Sequence, residues 1–287
     1  MKSLYDISAP AKLNLFLHIT GQRSDGYHLL QSVFMLIDWC DTLHFDLRQD
    51  GQLSREDLSI PLPADDLVIR AARALQAASR CPLGAHIGIE KRIPAQAGMG
   101  GGSSDAASTL LALNRLWKLN YSLEKLAQIG LTLGADVPFF LAGHNAWVEG
   151  IGEKISPINL VSSQFLVVKP PEGLETKLIF RDPLLKRESR TAIISGYAAD
   201  AFSYGKNDLQ SVAQKLCPDV TKALNWLESL GLSGRMTGSG SAVFARVLQD
   251  ISLKSAPSNF QIRLCNNLAA HPLVGWASSE RLSVDNF

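Results

Sequence analysis

The sequence predicts an α+β fold, and three observations carry that expectation. Apolar residues recur with period two at the start of the chain, helical Ala/Leu-rich stretches come later, and the two kinds of element mix without regular strand-helix-strand alternation. With 287 residues and 46% hydrophobic content, the chain has room for one large domain or two intimate ones.

The first element is a strand: Ala9, Ala11, Leu13, Leu15, Leu17 and Ile19 take the odd positions while Lys12, Asn14 and His18 fall between them. GQRSDGYH then supplies turn chemistry at Asp25-Gly26, an apolar run continues from Leu29 to Ile37, and Leu43, Phe45 and Leu47 alternate again. This is antiparallel sheet. From Asp66 to Ala78 the spacing becomes helical, and Ile87, Ile89 and Ile93 mark a strand that ends at Pro94. Behind the glycines of AQAGMGGGSSDAASTLLALNRLW, Ala106, Leu110, Leu113 and Trp117 predict a helix capped by Ser103 or Ser104. Another helix around Leu123 to Leu131 stops at Gly134, and a third from Val220 to Leu230 stops at Gly231. Residues 184–206 read as an irregular or weakly helical connection, and RMTGSGSAVFARV as a Gly/Ser turn running into a strand.

Charge and composition exclude several classes. Lys plus Arg number 28 against 27 Asp plus Glu, so no electrostatic footprint for nucleic acid or an anionic membrane stands out. Cys40, Cys81, Cys217 and Cys265 lie far apart with no C-x-x-C pair, which suggests a reducing compartment and neither a zinc knuckle nor a disulfide framework. Lys12 and Asn14 interrupt the N-terminal apolar stretch, and no run reaches the ~18 apolar residues of a membrane span. A cytoplasmic enzyme is expected.

The glycine-rich loop is the strongest chemical feature. Gly98, Gly100, Gly101 and Gly102 let backbone N–H groups converge where side chains would block a phosphate, and the helix behind them adds unpaired donors. The loop is neither G-x-x-x-x-G-K-[ST] nor G-x-G-x-x-G, so P-loop and Rossmann readings both fail. Lys12 shares a strand face with Asn14, either as an exposed lysine or as part of a polar ligand site. Asp136 in GADVPFF serves equally as a helix cap or as a carboxylate that accepts a substrate proton.

PAKLNLFLHI, IPAQAGMGGGSSDAA, LGADVPFF and RMTGSGSAVF occur in this order and span nearly the whole chain. Together they resemble the GHMP kinase superfamily, and DGYH with GADVPFF resembles in particular its diphosphocytidyl-methylerythritol kinases. The resemblance implies an N-terminal ribosomal-protein-S5-like domain, here residues 1–155, and a C-terminal ferredoxin-like domain, residues 156–287. It implies ATP and Mg2+ as cofactors, and an alcohol phosphorylated in isoprenoid biosynthesis. ATP would lie along Pro94, Ala95, Gln96, Ala97, Gly98, Met99, Gly100, Gly101, Gly102, Ser103 and Ser104. Lys12 and Asp136 match the catalytic pair, Tyr27 and Phe180 the aromatic residues that sandwich a cytosine, and His28 the residue that reads its edge; Asn14 would also face the substrate.

Two positions depart from the family pattern. Gln96 stands where the loop usually has another glycine, and Asp66 where an asparagine is often found near the adenine. Lys91 matches a residue near the nucleotide or is an ordinary exposed lysine; Asn207-Asp208 reads as a helix cap, and Ser104 as a metal ligand on the phosphate side. The rival expectations are a kinase of the same superfamily acting on another alcohol, and a nucleotide-binding protein without catalysis. Among the protein's residues, no carboxylate ligand for a metal emerges from the sequence.

Overall fold

The computed structural model describes residues 1–194, 197, 201–253 and 256–279. Two long strands, β1 (Ser3–Gln22) and β2 (His28–Arg48), form an antiparallel hairpin closed by the turn at 23–27. The expected turn and both apolar runs lie in this hairpin, where Gly26 takes a left-handed φ of 89°. β2 is long enough to carry other strands on its second edge. β4 (Gly84–Glu90) pairs with its 42–48 half and β5 (Ala146–Gly150) with its 30–34 half, while β3 (Leu53–Asp57) and β6 (Lys154–Pro157) complete the sheet.

Period-two patterning sorts β2 between two cores. Phe34 and Leu36 point into a core shared with helices α1 (Leu67–Ser79), α2 (Gly101–Leu116), α3 (Leu123–Leu133) and α4 (Val137–Ala142). Val33, Met35 and Ile37 point the other way, where Leu13 and Leu15 of β1 meet Phe165, Val167 and Phe244. Each such leucine, fully buried, contributes roughly 1.5–3 kcal/mol. α2 is buried on nearly every side, with polar Ser104, Asp105, Ser108, Thr109 and Asn114 among its buried residues beside fully buried Leu110, Leu113 and Ala106.

A second, antiparallel sheet runs β10-β7-β9-β8: β7 (Gln164–Lys169), β8 (Arg235–Met236), β9 (Val243–Val247) and β10 (Gln261–Asn266). Helices α6 (Gln210–Leu216) and α7 (Pro218–Ser229) cover it, and the short α5 (Thr176–Arg181) stands beside it. β1 belongs to both halves, because Leu17 and Ile19 join the core of this second sheet. The residues after β10 return to the first half: His271 N–H donates to Gly143 O at 2.8 Å, and Leu273 and Ala277 are buried in the helical core. Part of the 184–206 connection lies outside the described residues; 184–190 has no regular structure.

Three expectations require correction. α2 starts at Gly101 with Gly100 as its N-cap residue in left-handed φ (71°), so neither Ser103 nor Ser104 caps it. A backbone turn performs the change of direction, and Gly101 and Gly102 are the helix's first residues. Asn207 and Asp208 hold distant backbone: Asn207 Nδ2 donates to Met236 O and Gly238 O, both at 2.8 Å, and Asp208 Oδ2 accepts from Ile19 N–H at 2.8 Å. Locally, Asn207 Oδ1 accepts from Leu209 N–H at 2.9 Å and Asp208 Oδ1 pairs with Lys206 at 3.2 Å. Of the two readings of Lys91, the exposed lysine is the one corrected: its side chain is only 10% exposed and it lines the cavity described below.

Candidate active site

A cavity of about 880 Å³ opens between the two halves, near the upper end of ordinary small-molecule sites. Its wall includes every residue from 94 to 103 together with Lys12, Asn14, Asp136 and Phe180. Ser104 lies just behind that wall, fully buried.

The loop is held on both sides by backbone hydrogen bonds. Lys12 N–H donates to Met99 O at 2.9 Å, while Ser241 N–H and Ala242 N–H donate to Gln96 O and Ala97 O at 3.1 and 3.2 Å. The Gly/Ser turn of RMTGSGSAVF thus clamps the glycine loop from the second sheet, a contact that spacing in the sequence does not announce. The clamp is tight: a Cβ on Gly98 would sit 2.2 Å from Thr237 O. Gln96 adopts the left-handed φ of 50° that a glycine would accept freely, so the departure from the family pattern keeps the backbone shape at a cost of ~1–2 kcal/mol.

Lys12 is buried, contrary to the usual fate of a lone strand lysine. Its Nζ lies 3.7 Å from Asp136 Oδ2, donates to Asn14 Oδ1, and stands 4.5 Å from the centroid of the Phe34 ring. Desolvation lowers its pKa from the ordinary lysine value, and the Asp136 charge opposes that fall. Asn14 Nδ2 donates to Ser32 Oγ at 2.9 Å, which fixes the amide with its oxygen toward Lys12. A Cβ on Gly100 would come within 3.2 Å of Lys12 Cγ, so that glycine makes room for the lysine stem.

Asp136 occupies the N-cap position of α4 yet makes no side-chain capping bond. Its carboxylate is directed instead to Lys12 and remains 31% exposed, so the cap expectation is not what the geometry shows. At 3.7 Å the pair is an ion contact, longer than a hydrogen bond.

Beside the loop lies a largely buried ionic cluster, of which Lys91 and Asp105 also line the cavity. Lys91 Nζ contacts Asp105 Oδ2 at 2.5 Å and Asp41 Oδ2, with side-chain exposures of 10, 3 and 0%. Burial pushes the Lys91 pKa down, but the two carboxylates more than reverse this and raise it; burial pushes Asp105 well up. Asp41 Oδ1 also accepts from Arg92 and Ile93 N–H at 2.5 and 2.8 Å. The cluster ties β2, the residue just after β4 and the N-terminal part of α2 together. Asp66, the other departure, caps α1 by accepting from Ile69 N–H at 3.1 Å and pairs with Arg55 at 2.6 Å on the cavity wall.

The base-side residues are only partly assembled. The His28 and Phe180 rings pack at a centroid distance of 5.0 Å, whereas Tyr27 is 60% exposed. Among the described residues no ring contact joins Tyr27 to Phe180. Phe180 lines the cavity; Tyr27 and His28 do not.

Residues 66–144 match the GHMP kinases N terminal domain, and residues 191–261 match GHMP kinases C terminal. Over 284 residues the chain is 79% identical to the 4-diphosphocytidyl-2-C-methyl-D-erythritol kinase of Albidiferax ferrireducens, covering 99% of each. The chain belongs to the 4-diphosphocytidyl-2-C-methyl-D-erythritol kinases of the GHMP family. It is 64% identical over 296 residues to the kinase of that name from Variovorax paradoxus, covering 97% of this chain and 100% of the other. A crystal structure of a 4-(cytidine 5'-diphospho)-2C-methyl-D-erythritol kinase shares 30% identity and superposes with a TM-score of 0.76, covering 92% of this chain and 98% of that one. This kinase fold therefore has the α+β architecture expected from the sequence, built on two sheets.

Sequence reasoning missed several cavity residues of this kinase. Glu175, Thr176 and Lys177 at the start of α5 line the cavity, and Thr176 Oγ1 lies 2.8 Å from Ser239 Oγ of the clamping turn. Nothing in their spacing marks them, because they reach the site through the packing of α5 against a turn more than sixty residues away. Among the described residues no helix is long and apolar enough to cross a membrane.

Proposed function

We propose that the cavity performs the ATP-dependent reaction of its family, transferring the γ-phosphoryl group of ATP to the 2-hydroxyl of 4-diphosphocytidyl-2-C-methyl-D-erythritol in the non-mevalonate route to isoprenoids. The observation that carries this reading is the pairing of buried Lys12 with uncapped Asp136 at 3.7 Å beside a phosphate-sized glycine loop. Asp136 is the general base. It accepts the hydroxyl proton as the substrate oxygen bonds to the γ-phosphorus, and the electron pair of the cleaved bond leaves with ADP. Lys12, held by Asn14 and Asp136, orients the hydroxyl and neutralises developing charge. Residues 94–104 cradle the phosphates with backbone N–H groups and the start of α2.

Mg2+ fits the oxygens present. Ser104 Oγ and Asp105 Oδ1 are buried near the start of α2 and have no hydrogen-bond partner among the described residues. They are hard donors of the type this ion accepts, and among the described residues no group of three or more His, Cys, Asp or Glu would hold it alone. These two residues would hold the ion against the nucleotide, where it would supply charge neutralisation.

The base site is read from Tyr27, His28 and Phe180, with the base stacked on aromatic rings and its edge met by the imidazole. The test is ADP release with a panel of acceptors. Turnover of the cytidine compound with none of homoserine, mevalonate or galactose supports the assignment; the reverse pattern contradicts it.

A further inference from the structure

We propose that Arg187 is a positioning residue for base recognition, because it dictates which nitrogen of His28 carries a proton. Arg187 Nε donates to His28 Nε2 at 3.2 Å. A guanidinium has five N–H donors, no acceptor, and no accessible neutral form, so Nε2 must be the accepting nitrogen. An imidazole whose Nε2 accepts carries its proton on Nδ1. Among the described residues Nδ1 has no partner, and its N–H is left for a ligand.

The rest of the guanidinium explains why this geometry holds. Nη1 donates to Leu185 O at 3.1 Å, and Nη2 to Phe180 O and Asp182 O at 3.3 and 3.0 Å. One side chain therefore holds both the backbone of Phe180 and the imidazole packed on its ring at 5.0 Å. An imidazolium would set an N–H against the Arg187 N–H, and both desolvation and the Arg187 charge oppose it. A neutral imidazole with a free Nδ1–H suits a pyrimidine that offers a ring-nitrogen lone pair. Cytosine has one at N3; uracil carries a hydrogen there. The device selects a cytidine over a uridine nucleotide.

This inference rests on the reading that His28 contacts the base, and the experiment separates the two. Nitrogen-15 NMR of the imidazole, assigned with His28→Ala, should show the Nδ1–H tautomer in the wild-type protein and its loss in Arg187→Met. The same variant should raise KM for the cytidine substrate by about tenfold, the worth of one hydrogen bond, while KM for ATP stays within about twofold. It should also bind the uridine analogue nearly as well as the cytidine compound. Arg187→Lys, which likewise only donates, should retain the tautomer and recover part of the KM. If His28→Ala raises KM but Arg187→Met changes neither tautomer nor KM, Arg187 has no such role and the base reading stands. If His28→Ala leaves KM unchanged, both fall. Should Arg187→Met fail to fold, a wild-type His28 protonated on Nε2 overturns the inference by itself.

Discussion

Asp136→Asn removes the charge of the proposed base while keeping its shape, and its consequences follow from the surroundings of Lys12. At 3.7 Å the attraction between the two charges is about 4 kcal/mol at an effective dielectric of about 20. Asp136 is 31% exposed, so solvent screening brings the expected loss to roughly 2–4 kcal/mol. Burial already holds the Lys12 pKa below 10.5, and removing the carboxylate lowers it further. A base with a depressed folded pKa destabilises the fold at low pH and ceases to do so as pH rises toward its unfolded value. The variant's stability deficit therefore shrinks as pH rises toward 10.5. Turnover should fall by about 10²–10⁴, the usual contribution of a general base, with ATP affinity nearly unchanged. Steady-state ADP release and denaturant midpoints at neutral and alkaline pH measure both effects. Turnover within about tenfold of wild type, or a deficit that grows with pH, would refute the reasoning.

Other residues give independent tests. Gly98→Ala places a Cβ 2.2 Å from Thr237 O at a left-handed φ of 72°, so the loop and its clamp must separate; urea midpoints should fall and KM for ATP should rise by tenfold or more, on the order of one lost phosphate contact. Lys91→Met strands two buried carboxylates and should cost about 3–5 kcal/mol, partly recovered by adding Asp105→Asn, as a double-mutant cycle would show. His271, buried and held down to a pKa of about 4, takes up its proton more readily in the unfolded chain, so stability falls as pH drops below 6.5. The loss should reach about 2 kcal/mol at pH 5, and His271→Gln should flatten that slope in thermal melts.

What the sequence made legible was local. The alternation from Ala9 to Ile19 predicts β1, and all six of those apolar side chains are buried. Asp25-Gly26 marks the hairpin, and the glycines mark a loop against a helix. The helix start was misplaced because three consecutive glycines look like loop, yet only Gly100 needs the left-handed backbone. The burial of Lys12 was not legible, since the lid over it comes from the loop around Gly100 and from Asp136, both far along the chain. Lys91 was equally opaque: its partners lie 50 and 14 residues away, and only their convergence distinguishes it from a surface lysine. β7 also escaped, because a short apolar run such as QFLVVK lacks the alternation that identifies a half-exposed strand.

The central claim is direct phosphoryl transfer from ATP to one hydroxyl of the cytidine substrate, and phosphorus-31 NMR of a complete reaction tests it without intermediaries. The account predicts one ADP for each product molecule, with a new phosphomonoester on the 2-hydroxyl, and no more than about a hundredth of either from Asp136→Asn over the same period. ADP formed without a phosphorylated product, a phosphoryl group on another hydroxyl, or full conversion by Asp136→Asn would contradict it.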